Sequence, residues 1–349
     1  MMTELTIQRY DTANMRRLLE NFPHQIEEAV KIGKAAKIPY KASAIADVTV
    51  SGLGGSAIGG DLLRSYLAED LDIPFQVNRN YELPEYVGRK SFVIISSYSG
   101  GTEETIAAHR DARKRGAMVL CVTSGGETEQ LARKFRQPVI KIPKGYPPRT
   151  ALGFSFFPTL IAFMKMKLVS GKDKEIAETV RLLKQKARVF MALNEDNPAL
   201  ELAKKLYNRL PIIYSAADRF DAVNVRWRGQ LSENAKILAF GNVIPEMNHN
   251  ELVGWRVLQR HMNEMAVVFL RDKGEHPRIQ TRMKITKGIV SEFAPRVVEA
   301  WSDGSSLLAR MFSLIALGDW TSYYLAILNG IDPTPVRVID YLKWELGKT

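Results

Sequence analysis

Two rhythms of apolar and polar positions alternate along this chain. From Asn14 to Lys34 the apolar residues Met15, Leu18, Leu19, Phe22, Ile26, Val30 and Ile32 recur at mostly helical spacing, which predicts a helix there. The rhythm then shortens. Ala46–Val50 reads as a strand that runs out into Gly52-Leu53-Gly54-Gly55-Ser56, with a helix expected from Ile58 to Leu67. Phe92–Ile95 is a second strand ending in Ser96-Ser97-Tyr98-Ser99-Gly100-Gly101-Thr102, and Glu103 and Glu104 open a helix to about Lys114. Met118–Val122 and Val139–Ile142 continue the series. Strands alternating with helices at this spacing predict a parallel sheet covered on both faces.

Helical stretches at Phe156–Met166 and Lys174–Leu193 follow, and then the alternation restarts. Leu210–Tyr214, Ile237–Phe240, Met265–Leu270 and Val297–Glu299 read as strands, Asp221–Ala235 and Leu307–Ile327 as helices. The expected organisation is a helical segment over 1–45, a first α/β domain over 46–165, a helical connection over 166–195, a second α/β domain over 196–330 and a C-terminal segment over 331–349. The two halves read as a diverged repeat. The first ends its strands in Gly/Ser/Thr loops; the second ends them in Ser215-Ala216-Ala217-Asp218-Arg219 and Arg271-Asp272-Lys273-Gly274, so only the first carries residues suited to a phosphate.

Composition narrows the class. The 349 residues include 49 Lys and Arg against 38 Asp and Glu, a net charge of +11 that favours anionic partners. The cations are spread along the chain, densest at Lys184–Arg188, which fits a small phosphorylated molecule better than a nucleic-acid arm. The single cysteine, Cys121, lies in an apolar run and reads as a core residue; no thiolate metal cluster or internal disulfide can form. The N-terminus lacks a signal-peptide core, and no uncharged apolar run approaches the roughly 20 residues of a membrane span, so a cytoplasmic location is expected.

In open α/β sheets, ligands bind beyond the carboxyl ends of strands. Ser97, Ser99 and Thr102 offer three hydroxyls there, Gly100 and Gly101 admit close backbone approach, and Gly54, Gly55 and Ser56 offer further N–H groups. With a helix starting at the same place, this is a pocket for a phosphate monoester. A dinucleotide site is the rival at the first loop, although Ala57 replaces the third glycine of that fingerprint; no GxxxxGK[ST] occurs. The three hydroxyls also read as helix caps, and one of them is expected to cap the helix.

Among acid–base candidates, Glu233 sits at the end of a helix in Leu231-Ser232-Glu233-Asn234-Ala235-Lys236, and His249 in a polar loop, Asn248-His249-Asn250-Glu251. Glu246, His249 and Glu251 match no metal-binding spacing. Arg149 follows two stiffening prolines, Pro147 and Pro148, and Lys343 lies near the C-terminus.

Together these stretches, with Asp332-Pro333-Thr334-Pro335-Val336 and Leu342-Lys343, resemble the bifunctional phosphoglucose/phosphomannose isomerase family, whose halves are sugar isomerase (SIS) domains. The resemblance implies an α/β fold of two SIS-type, doubly wound parallel-sheet subdomains with flanking helices. It implies that Ser97, Ser99 and Thr102 hold the substrate phosphate beside Gly54, Gly55 and Ser56. It further implies that Glu233 carries a proton between C1 and C2, that His249 and Lys343 open the sugar ring, and that Arg149 stabilises an enediolate. No metal or cofactor is implied; the partners are a phosphorylated hexose and a second subunit donating His249. A non-catalytic SIS protein that senses sugar phosphates, or an isomerase of another sugar phosphate, stays open beside this reading.

Overall fold

The computed structural model describes residues 2–217 and 219–348, so Asp218 of the 215–219 loop lies outside the described residues. The chain divides into two compact units. One is Asn21–Leu182 with Gly304–Ala309; the other is the chain up to Glu20, Leu183–Asp303, and everything from Arg310 on.

In the first unit five parallel strands run β1 (Asp47–Ser51), β2 (Phe75–Asn78), β3 (Ser91–Ser97), β4 (Met118–Thr123) and β5 (Val139–Lys141), in the spatial order β2-β1-β3-β4-β5. Every residue of β3 is buried, as its unbroken apolar run requires of a strand covered on both faces. The short edge strand β2, Phe-Gln-Val-Asn, is missing from the sequence-based elements. Its apolar–polar alternation runs for only four, mostly half-buried residues, too short to stand out as a strand. Helices Phe22–Ala35, Gly54–Leu67, Glu103–Lys114, Gly126–Lys134 and Leu152–Met166 lie wholly in this unit, and helix Asp173–Met191 begins in it.

The helix expected over Asn14–Lys34 is two helices, Met15–Glu20 and Phe22–Ala35, belonging to different units. The break falls at Asn21 because Pro23 has no N–H and fits only a helix's first turn, so the helix must restart there.

The second unit holds β6 (Leu210–Ala216), β7 (Phe240–Ile244), β8 (Met265–Arg271) and β9 (Arg296–Trp301), all parallel, in the order β7-β6-β8-β9. Both sheets are α/β, as expected. One strand is displaced: Ile237–Phe240 was expected, yet β7 starts only at Phe240, which pairs with Ile212. Lys236 adopts the left-handed conformation (φ 58°) and ends the preceding helix, and residues 237–239 are spent reaching the sheet edge.

Helix Leu307–Leu328 is long and apolar enough by composition to cross a membrane, with mean hydropathy 1.3, but 89% of that stretch is buried within the protein. It also carries the buried polar residues Ser313, Asp319, Thr321 and Ser322, which marks it as a core helix. Cys121 is fully buried on β4, and burial pushes its thiol up to about 12, so it is a packing residue.

His109 is buried in the first unit. Its Nε2–H donates to Gln137 Oε1 at 2.6 Å, its ring meets Phe135 edge-on at 5.9 Å, and its Nδ1 finds no partner among the described residues. Burial pulls its pKa below 6.5, against the opposing pull of the Gln137 bond. Above 6.5 both folded and unfolded states hold a neutral ring, and nothing is at stake. Below it the unfolded chain takes up a proton that the fold resists, so stability falls with acidification. Urea unfolding should show a free energy that declines as pH drops below about 6.5, and His109→Leu should remove that part of the slope.

Candidate active site

The order β2-β1-β3 places the topological switch point of the first sheet between β1 and β3, whose carboxyl ends lie side by side in register, Ser51 beside Ile95. Helix Gly54–Leu67 starts directly after β1, with Leu53 at its cap and no side chain capping it. The helix expected from Ile58 thus begins four residues earlier, at Gly54, and the amides of Gly54 and Gly55 belong to its first turn, where N–H groups have no intrahelical partner. Ser56 faces inward, and its Oγ accepts the Tyr98 N–H at 3.1 Å, joining the β1 and β3 loops.

In the β3 loop, Ser97 Oγ accepts the Gly100 N–H at 3.1 Å and lies 3.2 Å from Thr102 Oγ1, while Ser99 Oγ accepts the Gly101 N–H at 3.3 Å. Thr102 occupies the N-cap of helix Glu103–Lys114, yet no side chain caps that helix. The expectation that one of the hydroxyls caps it is therefore corrected. They bond within the loop instead, Thr102 Oγ1 accepting from Ser97 Oγ and the two serine oxygens accepting loop amides. An uncapped helix start beside three clustered hydroxyls suits an anion.

A third loop was not singled out from the sequence. After β4, Ser124 Oγ donates to the Tyr98 carbonyl at 2.7 Å, and the Thr128 N–H donates to Gly100 O at 2.8 Å. Gly100 has φ +74°, and a Cβ on it would stand 1.8 Å from Gly125 O, so the two loops touch backbone to backbone. Ser124-Gly125-Gly126 after a strand carries the same Gly/Ser signature as the loops that were recognised.

Arg149 is 3% exposed and sits in the single turn Pro148–Thr150. A Cβ on Gly55 would lie 2.6 Å from Pro148 O and 3.2 Å from Arg149 N, so this turn rests on the start of the β1 helix. Gln25, buried, holds its far side: Nε2 donates to Thr150 O at 2.9 Å and Oε1 accepts the Gly153 N–H at 2.8 Å. Ser97, Ser99, Thr102, Gly54, Gly55, Ser56 and Arg149 all fall in this unit.

Glu233, His249 and Lys343 fall in the other. Glu233 is half-buried near the end of helix Asp221–Ala235 and lines a cavity of about 570 Å³ with Ser232, Lys236, Asp332, Pro335 and Arg337 among its walls. Its helix is fastened along its length to helix Leu307–Leu328. Arg226 pairs with Asp319 at 2.6 Å, Gln230 Nε2 donates to Asp319 Oδ1 at 2.8 Å, Trp227 Nε1 donates to Leu314 O at 2.8 Å, and Asn234 Nδ2 donates to Ser322 Oγ at 2.9 Å. Burial pushes the Asp319 carboxyl up against the pull of Arg226. His249 is exposed on a loop that is itself well fixed, since Glu251 accepts from Tyr214 Oη and, at 2.8 Å, from Asn242 Nδ2, while Asn248 Nδ2 donates to Thr286 Oγ1 at 2.8 Å. Lys343 is exposed in the last turn of helix Arg337–Leu346 and, like His249, does not line the Glu233 cavity.

The carboxyl ends of the second sheet are built differently. Asp272, just past β8, accepts from Arg310 Nε at 2.8 Å, from Ser302 Oγ at 2.5 Å and from the Gly274 N–H at 2.9 Å. Arg271 lies over the Trp301 ring at 4.5 Å, and burial pushes the neighbouring Glu275 up to about 7. A hydroxyl, a guanidinium and a glycine amide are thus committed to the chain's own carboxylate.

Two parallel α/β units, one with a cradle of glycines and hydroxyls at its switch point, define a SIS-domain protein. A sequence profile of the SIS domain matches residues 45–164, and one of the bacterial phospho-glucose isomerase C-terminal SIS domain matches residues 195–346. The chain is 45% identical to a bifunctional phosphoglucose/phosphomannose isomerase of Caldicellulosiruptor bescii over 94% of its length and 97% of that protein. It is 34% identical to one of Aquifex aeolicus over 89% of its length and 92% of that protein. In fold it is similar to a hypothetical protein of Thermus thermophilus, with TM-score 0.71 at 15% identity, over 95% of this chain and 89% of the other. The chain belongs to the bifunctional phosphoglucose/phosphomannose isomerase family.

The charge network under Glu233 has a measurable price. Asp319→Ala leaves the Arg226 guanidinium buried without its carboxylate, and should lower the unfolding free energy in urea by about 3–5 kcal/mol.

Proposed function

We propose that this protein is a cytoplasmic isomerase that interconverts glucose 6-phosphate and mannose 6-phosphate with fructose 6-phosphate, requiring neither metal nor nucleotide. The observation that carries the reading is the cradle of Ser97, Ser99 and Thr102 beside an uncapped helix start, in a chain that resembles such isomerases over almost its whole length.

In the proposed mechanism the phosphate is held by those hydroxyls and by the Gly54-Gly55-Ser56 helix start, where the Ser56 N–H itself donates to Leu53 O at 3.0 Å. His249 and Lys343 move the proton that opens the ring. Glu233 then takes the proton from C2 of the aldose, leaving a cis-enediolate, and returns it to C1; the hydroxyl proton moves from O2 to O1, and the ketose results with atoms and charge balanced. Arg149 supplies the positive charge that stabilises the enediolate oxygen. Glucose and mannose 6-phosphates differ only at C2, the centre that becomes planar, so one base suits both. A carboxylate on a helix fastened by buried polar contacts keeps its position through the transfer.

A homodimer completes the proposal, with His249 reaching the site of the partner subunit. The exposed Val253, Val257 and Leu258, 67–76% accessible and close to His249 in the chain, support it as apolar surface that a second copy would cover.

Purified protein given fructose 6-phosphate in the presence of EDTA should form both glucose 6-phosphate and mannose 6-phosphate, detected separately. Glu233→Gln should lower kcat by about 10²–10⁴-fold while sugar-phosphate binding persists. Binding without turnover in the unaltered protein would instead identify a sensor, and formation of only one aldose would remove the bifunctional part of the reading.

A further inference from the structure

Tyr98 stands between two of the cradle hydroxyls, in Ser97-Tyr98-Ser99, yet its own side chain turns to another segment. Its phenolic oxygen accepts the Tyr146 N–H at 2.8 Å. Tyr146 opens the sequence Tyr146-Pro147-Pro148-Arg149, and the two prolines have no N–H. The Tyr146 amide is therefore the last backbone donor before Arg149 by which the turn can be tied down. The prolines fix φ near −65°, which makes the link between Tyr146 and Arg149 stiff, so a shift at one is passed to the other.

The anchor is itself rigid. The Tyr98 N–H donates to Ser56 Oγ at 3.1 Å, and its carbonyl accepts from the Ser124 N–H at 3.1 Å and from Ser124 Oγ at 2.7 Å. On the other flank of the same turn, Gln25 holds Thr150 O and the Gly153 N–H. The cradle's own bonds, Ser97 to Gly100 and Ser99 to Gly101, use neither the Tyr98 hydroxyl nor Gln25.

We propose that Tyr98 and Gln25 are positioning residues for Arg149, tying its turn from both flanks to the body that holds the phosphate, so that the guanidinium is placed relative to a substrate anchored by that phosphate. The inference rests on the isomerase reading. In it neither side chain touches substrate; each acts through Arg149, whose charge matters at the enediolate stage more than in the ground state. Loss of a tether therefore lowers turnover and spares phosphate binding.

The test is a double-mutant cycle on fructose 6-phosphate isomerisation. Tyr98→Phe should lower kcat by about 10- to 100-fold, the scale of a misplaced charge, with KM held within about twofold. In an Arg149→Lys background the same substitution should change kcat by less than about twofold, because the group it positions is already displaced. Affinity for inorganic phosphate, read by calorimetry, should match that of the unaltered protein. An unchanged kcat in Tyr98→Phe, an equal loss in both backgrounds, or a fall in phosphate affinity parallel to kcat would each overturn the proposal. If Tyr98→Phe lacks a cooperative urea transition, Gln25→Met is put through the same cycle, with the same outcomes for and against. An inactive unaltered protein would instead overturn the isomerase reading, and this inference with it.

Discussion

The cradle of the first sheet depends on three places where backbone meets backbone with no room for a side chain. At Gly52 the end of β1 lies against Ser96 of β3; at Gly55 the start of the β1 helix lies against Pro148 and Arg149; at Gly100 the β3 loop lies against Gly125 of the β4 loop. A methyl at any of these α-carbons would fall within 2.7 Å of a carbonyl oxygen, at positions where no flexible side chain can give way. Those three contacts bring the loops of three strands and the Arg149 turn together. Once they are made, Ser56, Tyr98, Ser124 and Gln25 lock the assembly with hydrogen bonds between segments distant in the chain. The serine and threonine hydroxyls are left clustered beside a helix start that no side chain caps.

The second unit achieves rigidity by other means. Its helix bearing Glu233 is held by a buried carboxylate, Asp319, shared between Arg226 and Gln230, with further bonds a turn away on either side. Buried charge is costly to dehydrate, so removing one partner of such a network leaves the other uncompensated and is strongly destabilising. At the carboxyl end of β8 a second buried carboxylate is held in the same way. Asp272 is gripped by a hydroxyl, a guanidinium and an amide, the groups that would grip a phosphate oxygen. Two sheets of one general plan thus end differently, one in loops with hydroxyls grouped at a helix start and one in ion pairs.

Much of this was legible in the sequence, and the misses have physical causes. The unbroken apolar runs of β3, β4 and β8 announce strands buried on both faces, and Gly/Ser loops after strands announce a ligand end. Edge strand β2 escapes notice because its alternation, Phe75-Gln76-Val77-Asn78, lasts only four residues. The start of β7 is misplaced because Lys236, a residue without turn propensity, takes the left-handed conformation that stops its helix. Among candidate site residues, Ser97, Ser99, Thr102 and the Gly54-Gly55-Ser56 run stand out from local pattern alone. Gln25 carries no local signal: its partner, Thr150, is 125 positions away, and a glutamine inside a helix is usually a solvated side chain. Tyr98 hides for the opposite reason, since it lies within a motif whose serines draw the attention while its hydroxyl serves a segment 48 residues on.

The central claim is that the phosphate of the substrate sits at the β1–β3 switch point and nowhere else in the chain. A crystal structure of the protein soaked with fructose 6-phosphate tests it most directly. The account predicts phosphate oxygens within hydrogen-bonding distance, about 3 Å, of Ser97 Oγ, Ser99 Oγ and Thr102 Oγ1. A phosphate bound instead at the carboxyl ends of β6 and β8, with the Asp272–Arg310 pair opened to receive it, would contradict the account.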